Sequence, residues 1–275
     1  MALDHYVSQV HLKNFYSPVL GDAFYALRKD NLKLFQQASA RVCRIEENST
    51  NGYLKDDRII EEFLKTVEPK YNEAIRHLAV GDINSECIYV IAGFVSYVLV
   101  CSPAGMRIQS QPLKASVEEA AKMIERIADL GPPPPSLGGD TLAELIESGK
   151  VGVHIDPKYP QAIGITNILS ILKIFGNSKW EILLNPFEEN PFFTSDFPIV
   201  IERAEDRRVL NRVVPLSPSL AIRICPNIEL DRDEIDFDFA YYQYRVKKLS
   251  RSEVCWRYSQ HCACSGRPLA NGVGT

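Results

Sequence analysis

The run IYVIAGFVSYVLVC, residues 88–101, constrains the fold more than any other stretch. It carries no charge and no proline. It falls short of the roughly 20 apolar residues that a membrane-spanning helix needs. A helix that is apolar all round has no face to give to water, so this one belongs at the centre of a globular domain. The rest of the chain must supply the layers that cover it. With 275 residues, 45% hydrophobic and 24% charged, there is enough chain to do so.

The neighbouring segments offer such layers. From Asp57 onward, Ile60, Phe63, Leu64, Val67, Tyr71, Ala74, Ile75 and Leu78 recur at helical spacing and form one stripe. Pro69 falls inside the stripe and is expected to kink or divide the helix. At 100° per residue, Glu61 and Glu68 share one edge of the stripe and Glu62 points to solvent. Ser8 is positioned to cap a short helix over 9–15, with Val7, Leu12 and Phe15 as apolar contacts. AFYALRK and LKLF, around Asp30-Asn31, read as a β-hairpin closed by a two-residue Asx turn. ENSTNG, 47–52, reads as a loop. Ser116 and Glu119 make a capping box, predicting a helix with Val117, Ala120, Ala121, Ile124 and Ile127 inward. Thr141 and Glu144 make a second box on a short helix. Ile165, Ile168, Leu169 and Leu172 give another stripe.

From Trp180 the texture changes. WEILL, PIVIE, RVLNRVV and SLAIRIC are short β-rich runs, and LSPS at 216–219 is a turn between two of them. DRDEIDFDF, 231–239, lacks the spacing of a calcium loop and reads as a solvated acidic face. A last helix is expected over 240–258. The order predicts an α+β fold, with an N-terminal hairpin, a helical middle and a C-terminal antiparallel sheet region. One domain is expected over 1–258, with a Pro-rich loop at 131–139 and a flexible tail at 259–275.

The net charge of -4 gives no basic footprint, so there is no strong nucleic-acid signature. The first residues have no signal-peptide character, and no membrane partner is implied. The seven cysteines are odd in number and scattered, which predicts reduced thiols and a cytoplasmic location. His261-Cys262-Ala263-Cys264 is the one local cluster, and a zinc site there would need a second pair of ligands.

No GxGxxG, Walker A loop, HExxH or GxSxG elbow is present. Of the histidines, His77 ends a helix, His154 sits near Asp156, and His11 is expected at the surface. His5 and Gln9 remain near the N-terminus. In PFFTSDFPIV, 191–200, Thr194, Ser195 and Asp196 interrupt a strand-like run before Pro198. Read alone, these residues make a turn.

HYVSQVHLKNF, 5–15, resembles the opening signature of the uncharacterised family named domain of unknown function 4238, His-x-Val-Pro-Gln followed by Leu and Phe. The hairpin, IEEFLKTVE at 60–68, WEILL with FFTSDFPIV, and VVPLSPSLAI at 213–222 resemble later family segments in the same order. Three positions depart from the pattern. Ser8 stands where the family has proline, Phe197 where it has a small polar residue, and Cys101 where an arginine is typical, although Arg107 matches a second arginine. The resemblance brings no established activity.

It does nominate His5, Gln9, Glu61, Glu68 and Asp196 as one candidate cluster. An imidazole, an amide and three carboxylates suit acid–base chemistry. Glu61, Glu68 and Asp196 also offer hard oxygen ligands for Mg²⁺ or Mn²⁺, which would fit metal-assisted hydrolysis of a phosphodiester or nucleotide. The alternative is a binding or regulatory module without catalysis, in which the same residues form a structural polar network. The sequence names no partner.

Overall fold

The computed structural model describes residues 3–127, 133, 135–206, 208–231, 233 and 235–254. The expected helix over 240–258 extends past them, and the His261–Cys264 cluster and the tail lie outside them.

The N-terminal segment is built from short pieces. Strand β1 (Leu3–His5) is followed by helix α1 (Gln9–Lys13), then by the hairpin β2 (Phe24–Leu27) and β3 (Leu34–Gln37), and then by β4 (Arg44–Glu46). β4 pairs antiparallel with β1, placing His5 opposite Arg44. The hairpin forms where expected, but its loop is longer than two residues. Leu32 takes a left-handed backbone (φ 54), and the Asn31 side chain accepts from the Lys33 amide.

Helix α2 (Ile59–Val67) ends where Pro69 divides the stripe, and α3 (Tyr71–Val80) resumes after one 3₁₀ turn. Asn84 then caps α4 (Ser85–Cys101), its side chain accepting from the Cys87 amide at 2.8 Å. α4 is the central element, and nearly all its side chains are buried. Neighbouring helices approach it closely. A Cβ added at Gly93 would stand 2.9 Å from Val67 and 3.3 Å from Leu172.

Helix α5 (Pro103–Ile127) follows across a tight corner. The buried Ser102 Oγ accepts from the Gly105 amide at 3.1 Å, and Pro103 stands at the first helical position. This corner starts the helix well before Ser116, so the expected capping box there is overrun. Its stripe also differs from the inward reading: Val117, Ile124 and Ile127 are exposed. The Thr141 box does form, opening α6 (Leu142–Glu147). α7 (Lys158–Thr166) and α8 (Ile168–Gly176) complete the helical layer.

The sheet strands are β5 (Lys179–Leu184), β6 (Val200–Arg203), β7 (Leu210–Ser217), β8 (Leu220–Cys225) and β9 (Gln243–Lys248), in spatial order β6-β7-β8-β5-β9. All pairings are antiparallel except β5 with β9. β9 replaces the first part of the helix expected over 240–258. It supplies the edge of β5 with a hydrogen-bonding partner, and its Arg245 pairs with Glu181 of β5. Trp180, Ile182, Val214, Ile222 and Ile224 face the helices in one continuous core. On the other face Leu183, Val200, Val213 and Ala221 pack under Phe187, Phe192, Leu249 and Val254. The acidic stretch is anchored rather than wholly solvated, since Ile235 and Phe239 are buried. Among the described residues no single helix is long and apolar enough to cross a membrane.

Candidate functional site

The motif segments meet at the N-terminal edge of the helical layer. The Tyr6 amide donates to the Cys43 carbonyl at 2.9 Å, continuing the β1–β4 pairing. His5 Nε2 lies 3.1 Å from the Ser39 carbonyl, which fixes a proton on that nitrogen. Ser39 Oγ donates to Gln9 Oε1 at 3.4 Å and lies 2.7 Å from the Tyr16 hydroxyl. From the buried helix, the Tyr97 hydroxyl donates to the His5 carbonyl at 2.6 Å. His5 and Gln9 therefore share one anchor, Ser39, and α4 holds the strand that carries His5.

The carboxylates behave differently from one another. Glu61 is taken by Arg58, with Arg58 Nε 3.2 Å from its carboxylate. Glu62 pairs with Lys65 at 2.6 Å, on the solvent side as expected. Glu68 is half-buried and makes no side-chain bond among the described residues, and its charge helps push the Tyr97 hydroxyl well above its ordinary value, burial being the main cause. Asp196 is exposed. Burial first, then the charge of Asp196, pushes the Cys43 thiol up to about 12. Tyr6 is raised mainly by burial too, with Cys43 and Asp196 adding to it and Arg107 opposing. The turn at 194–198 is closed by Ser195, whose Oγ accepts from the Phe197 amide at 3.2 Å, not by Asp196.

The structure thus ties His5 and Gln9 to one another through Ser39 and turns Glu61 to Arg58, while Glu68 acts on Tyr97 and Asp196 on Tyr6 and Cys43. Among the described residues no three His, Cys, Asp or Glu side chains converge so as to hold a metal ion. Glu61, Glu68 and Asp196 do not make such a group.

His11 is the residue that sequence reasoning misplaced. It is fully buried, not at the surface. Nδ1 lies 2.8 Å from the Tyr71 hydroxyl and Nε2 lies 2.8 Å from Thr194 Oγ1. Its ring stacks on Phe94 at 4.8 Å and tilts against Phe15 at 5.2 Å. Burial alone lowers its pKa to about 3. A neutral imidazole has one donor and one acceptor, and both are used. Hydroxyl, imidazole and hydroxyl in line have the outline of a nucleophile–base relay. The electrostatics oppose that role, because among the described residues no carboxylate bonds the ring to stabilise an imidazolium. A partial signal for burial was in the sequence: His11 falls four residues before Phe15, against which its ring packs.

That His11 also ties the opening signature to the Thr-Ser-Asp segment bears on identity, since these two motifs lie 183 residues apart. A profile for proteins of unknown function, DUF4238, matches residues 4–238. The chain belongs to this family. No curated protein and no solved structure matches it. Within the family's span a second network also escaped the sequence. The expected loop 47–52 contains Asn48 and Asn51, both buried. Asn51 Nδ2 donates to Gln161 Oε1 at 2.9 Å, and Lys158 Nζ donates to the Glu47 and Thr50 carbonyls at 2.6 and 2.8 Å. No local pattern marks these partners, which come from α7.

A water-sized cavity of about 10 Å³ lies between α3 and α4, bordered by Lys70, His77, Glu86 and Cys87, away from these motifs.

Proposed function

We propose that this member of the family is a non-catalytic binding or regulatory module, whose motif residues hold the fold together. The observation that carries the reading is His11, a neutral, fully buried imidazole bonded on both sides to Tyr71 and Thr194. Polar groups so placed must be bonded for the fold to stand, and no chemistry is needed to explain them. The departures from the family pattern point the same way. Cys101, at the family's arginine position, is a fully buried thiol pushed up to about 12, mainly by burial. Phe197 packs against the main core. Ser8 is buried with its hydroxyl unpartnered among the described residues.

The test is a thermal melt with and without Mg²⁺, Mn²⁺ and Zn²⁺, on the wild type and on Glu68→Gln. The expected result is no cation-dependent rise in either protein, with Glu68→Gln within about 1 kcal/mol of wild type. A cation that binds only the folded state must raise the midpoint. A rise in wild type that vanishes in Glu68→Gln would overturn the reading.

One observation favours a second reading, a hydrolase-like enzyme working by acid–base chemistry. Asp196 and Arg107 both act on the Tyr6 hydroxyl, both are exposed, and neither makes a side-chain bond among the described residues. An unpaired carboxylate and an unpaired guanidinium beside a phenol could bind and activate an anionic ester. Hydrolysis of a chromogenic phosphodiester, lost in Asp196→Asn with an unchanged melting temperature, would establish this reading over the first.

A further inference from the structure

Helix α5 carries an apolar seam that the fold leaves open. Its 25 residues span about 37 Å, with Pro112 inside it just before the seam. Only Gly105 and Met106, near its start, are buried. Leu113, Val117, Ala120, Ile124 and Ile127 then recur at alternating steps of four and three. Over these two heptads the spacing follows the 3.5-residue period of a coiled-coil seam. Val117, Ile124 and Ile127 are 46%, 58% and 77% exposed, and Met123 beside them is 60% exposed. α6 does not cover the seam, because it is fixed to another flank. Glu125 accepts from the Leu142 and Ala143 amides at 2.8 and 3.0 Å, and Lys122 pairs with Glu147 at 3.4 Å.

We infer that this seam pairs with the same seam of a second copy of the chain, the two α5 helices running antiparallel. Two arguments select that occupant. The first is charge. Of the positions bordering the seam, Ser116, Ala121 and Met123 are uncharged, and Lys114 is matched by Glu118 of its own helix at 3.6 Å. The other charged residues lie elsewhere on the helix and are largely matched within the chain, Lys122 with Glu119 at 3.3 Å. An identical helix therefore meets no like charge. The flanks also lack the basic excess that an anionic lipid surface would require. The second argument is size. In an antiparallel pair centred near residue 122, Ala120 faces Ile124 and Val117 faces Ile127, so a small residue meets a large one. A parallel pair would set Ala120 against Ala120 and leave a gap. Antiparallel helices also align their dipoles favourably.

The test is sedimentation velocity across a range of concentrations on wild type, Ile124→Glu and the control Val19→Glu, another exposed apolar residue at 85% exposure. The expected result is a dimer for wild type and Val19→Glu. Ile124→Glu should dissociate at least about a hundredfold more readily, because each copy would bury an unpaired carboxylate. Its circular dichroism and melting midpoint, read at concentrations where both proteins are monomeric, should match wild type. A wild type that stays monomeric throughout would overturn the inference, as would a dimer that survives Ile124→Glu. Binding of monomeric protein to anionic phospholipid vesicles, lost in Ile124→Glu, would assign the seam to a membrane surface instead.

Discussion

Helices α4 and α5 are joined at one corner and met opposite fates. From Cys87 onward α4 is apolar on every face, and nearly all its side chains are buried. α5 is apolar along one seam, and beyond Met106 that seam faces water. The difference teaches what periodicity does and does not say. A helix with no polar face has a single possible environment. A helix with one apolar face needs a cover, and its own sequence does not say whether that cover belongs to the same chain.

The comparison breaks first on paired truncations. Phe94 on α4 is buried against His11 and Tyr71, each ring about 5 Å from its own. Phe94→Ala removes those contacts and leaves a cavity, which should cost about 3–5 kcal/mol in urea unfolding. Ile124→Ala on α5, measured where the chain is monomeric, should shift stability by no more than about 0.5 kcal/mol. Equal losses would mean that the α5 seam is covered within one chain after all.

The second prediction asks how firmly α4 grips the N-terminal motif, and it is read by pH. An unfolded His11 would titrate at the ordinary imidazole value of 6.5, whereas burial lowers the folded one to about 3. Between these values the unfolded chain binds more protons than the folded one. Stability is therefore complete above pH 6.5 and is lost as pH falls toward 3. The deficit from this residue should reach about 3 kcal/mol at pH 4. His11→Gln should be less stable at pH 7 and should show a flatter profile between pH 6.5 and 4. A mutant profile as steep as wild type would assign the acid sensitivity to other groups. By contrast, Ile124→Ala on α5 should leave the profile unchanged.

How much of this was legible follows the same division. The central helix, the proline break at Pro69, the Thr141 capping box and the four strands from Trp180 to Cys225 are local consequences of periodicity, caps and turns, and the sequence carried them. The capping box at Ser116 was also local, but the corner at Ser102 and Pro103 had already started the helix. β9 was misread because a strand at a sheet edge is decided by its neighbour, here the open edge of β5, and not by its own pattern. The candidate site was legible in part. His5 and Gln9 share Ser39, but among the described residues no side-chain bond joins them to Glu68 or Asp196. Glu61 sat on the right edge of its helix, but Arg58, three residues earlier, takes its carboxylate. His11 was marked by its spacing from Phe15. What hid it was the usual habit of histidine, not a missing signal. Asn48, Asn51 and Gln161 were beyond reach, since their partners are more than 100 residues apart.

The smallest expected effect concerns the point where the chain leaves the family pattern beside the buried site. Ser8 precedes α1 as its cap, yet its side chain makes no cap hydrogen bond and its hydroxyl is buried without a partner among the described residues. An ordinary cap serine would cost about 0.5–2 kcal/mol on change to alanine. Here that change should be neutral or stabilising, because it removes an unsatisfied buried group. Proline should do better. The backbone at Ser8 has φ -56, close to the value that proline enforces, and its amide makes no hydrogen bond among the described residues. Ser8→Pro should therefore raise stability by about 0.4–1 kcal/mol, chiefly by restricting the unfolded chain. A loss of stability on Ser8→Pro would mean that serine here answers a constraint the family proline does not meet. The contrast of the N-terminal motif with α5 would then rest on His11 alone.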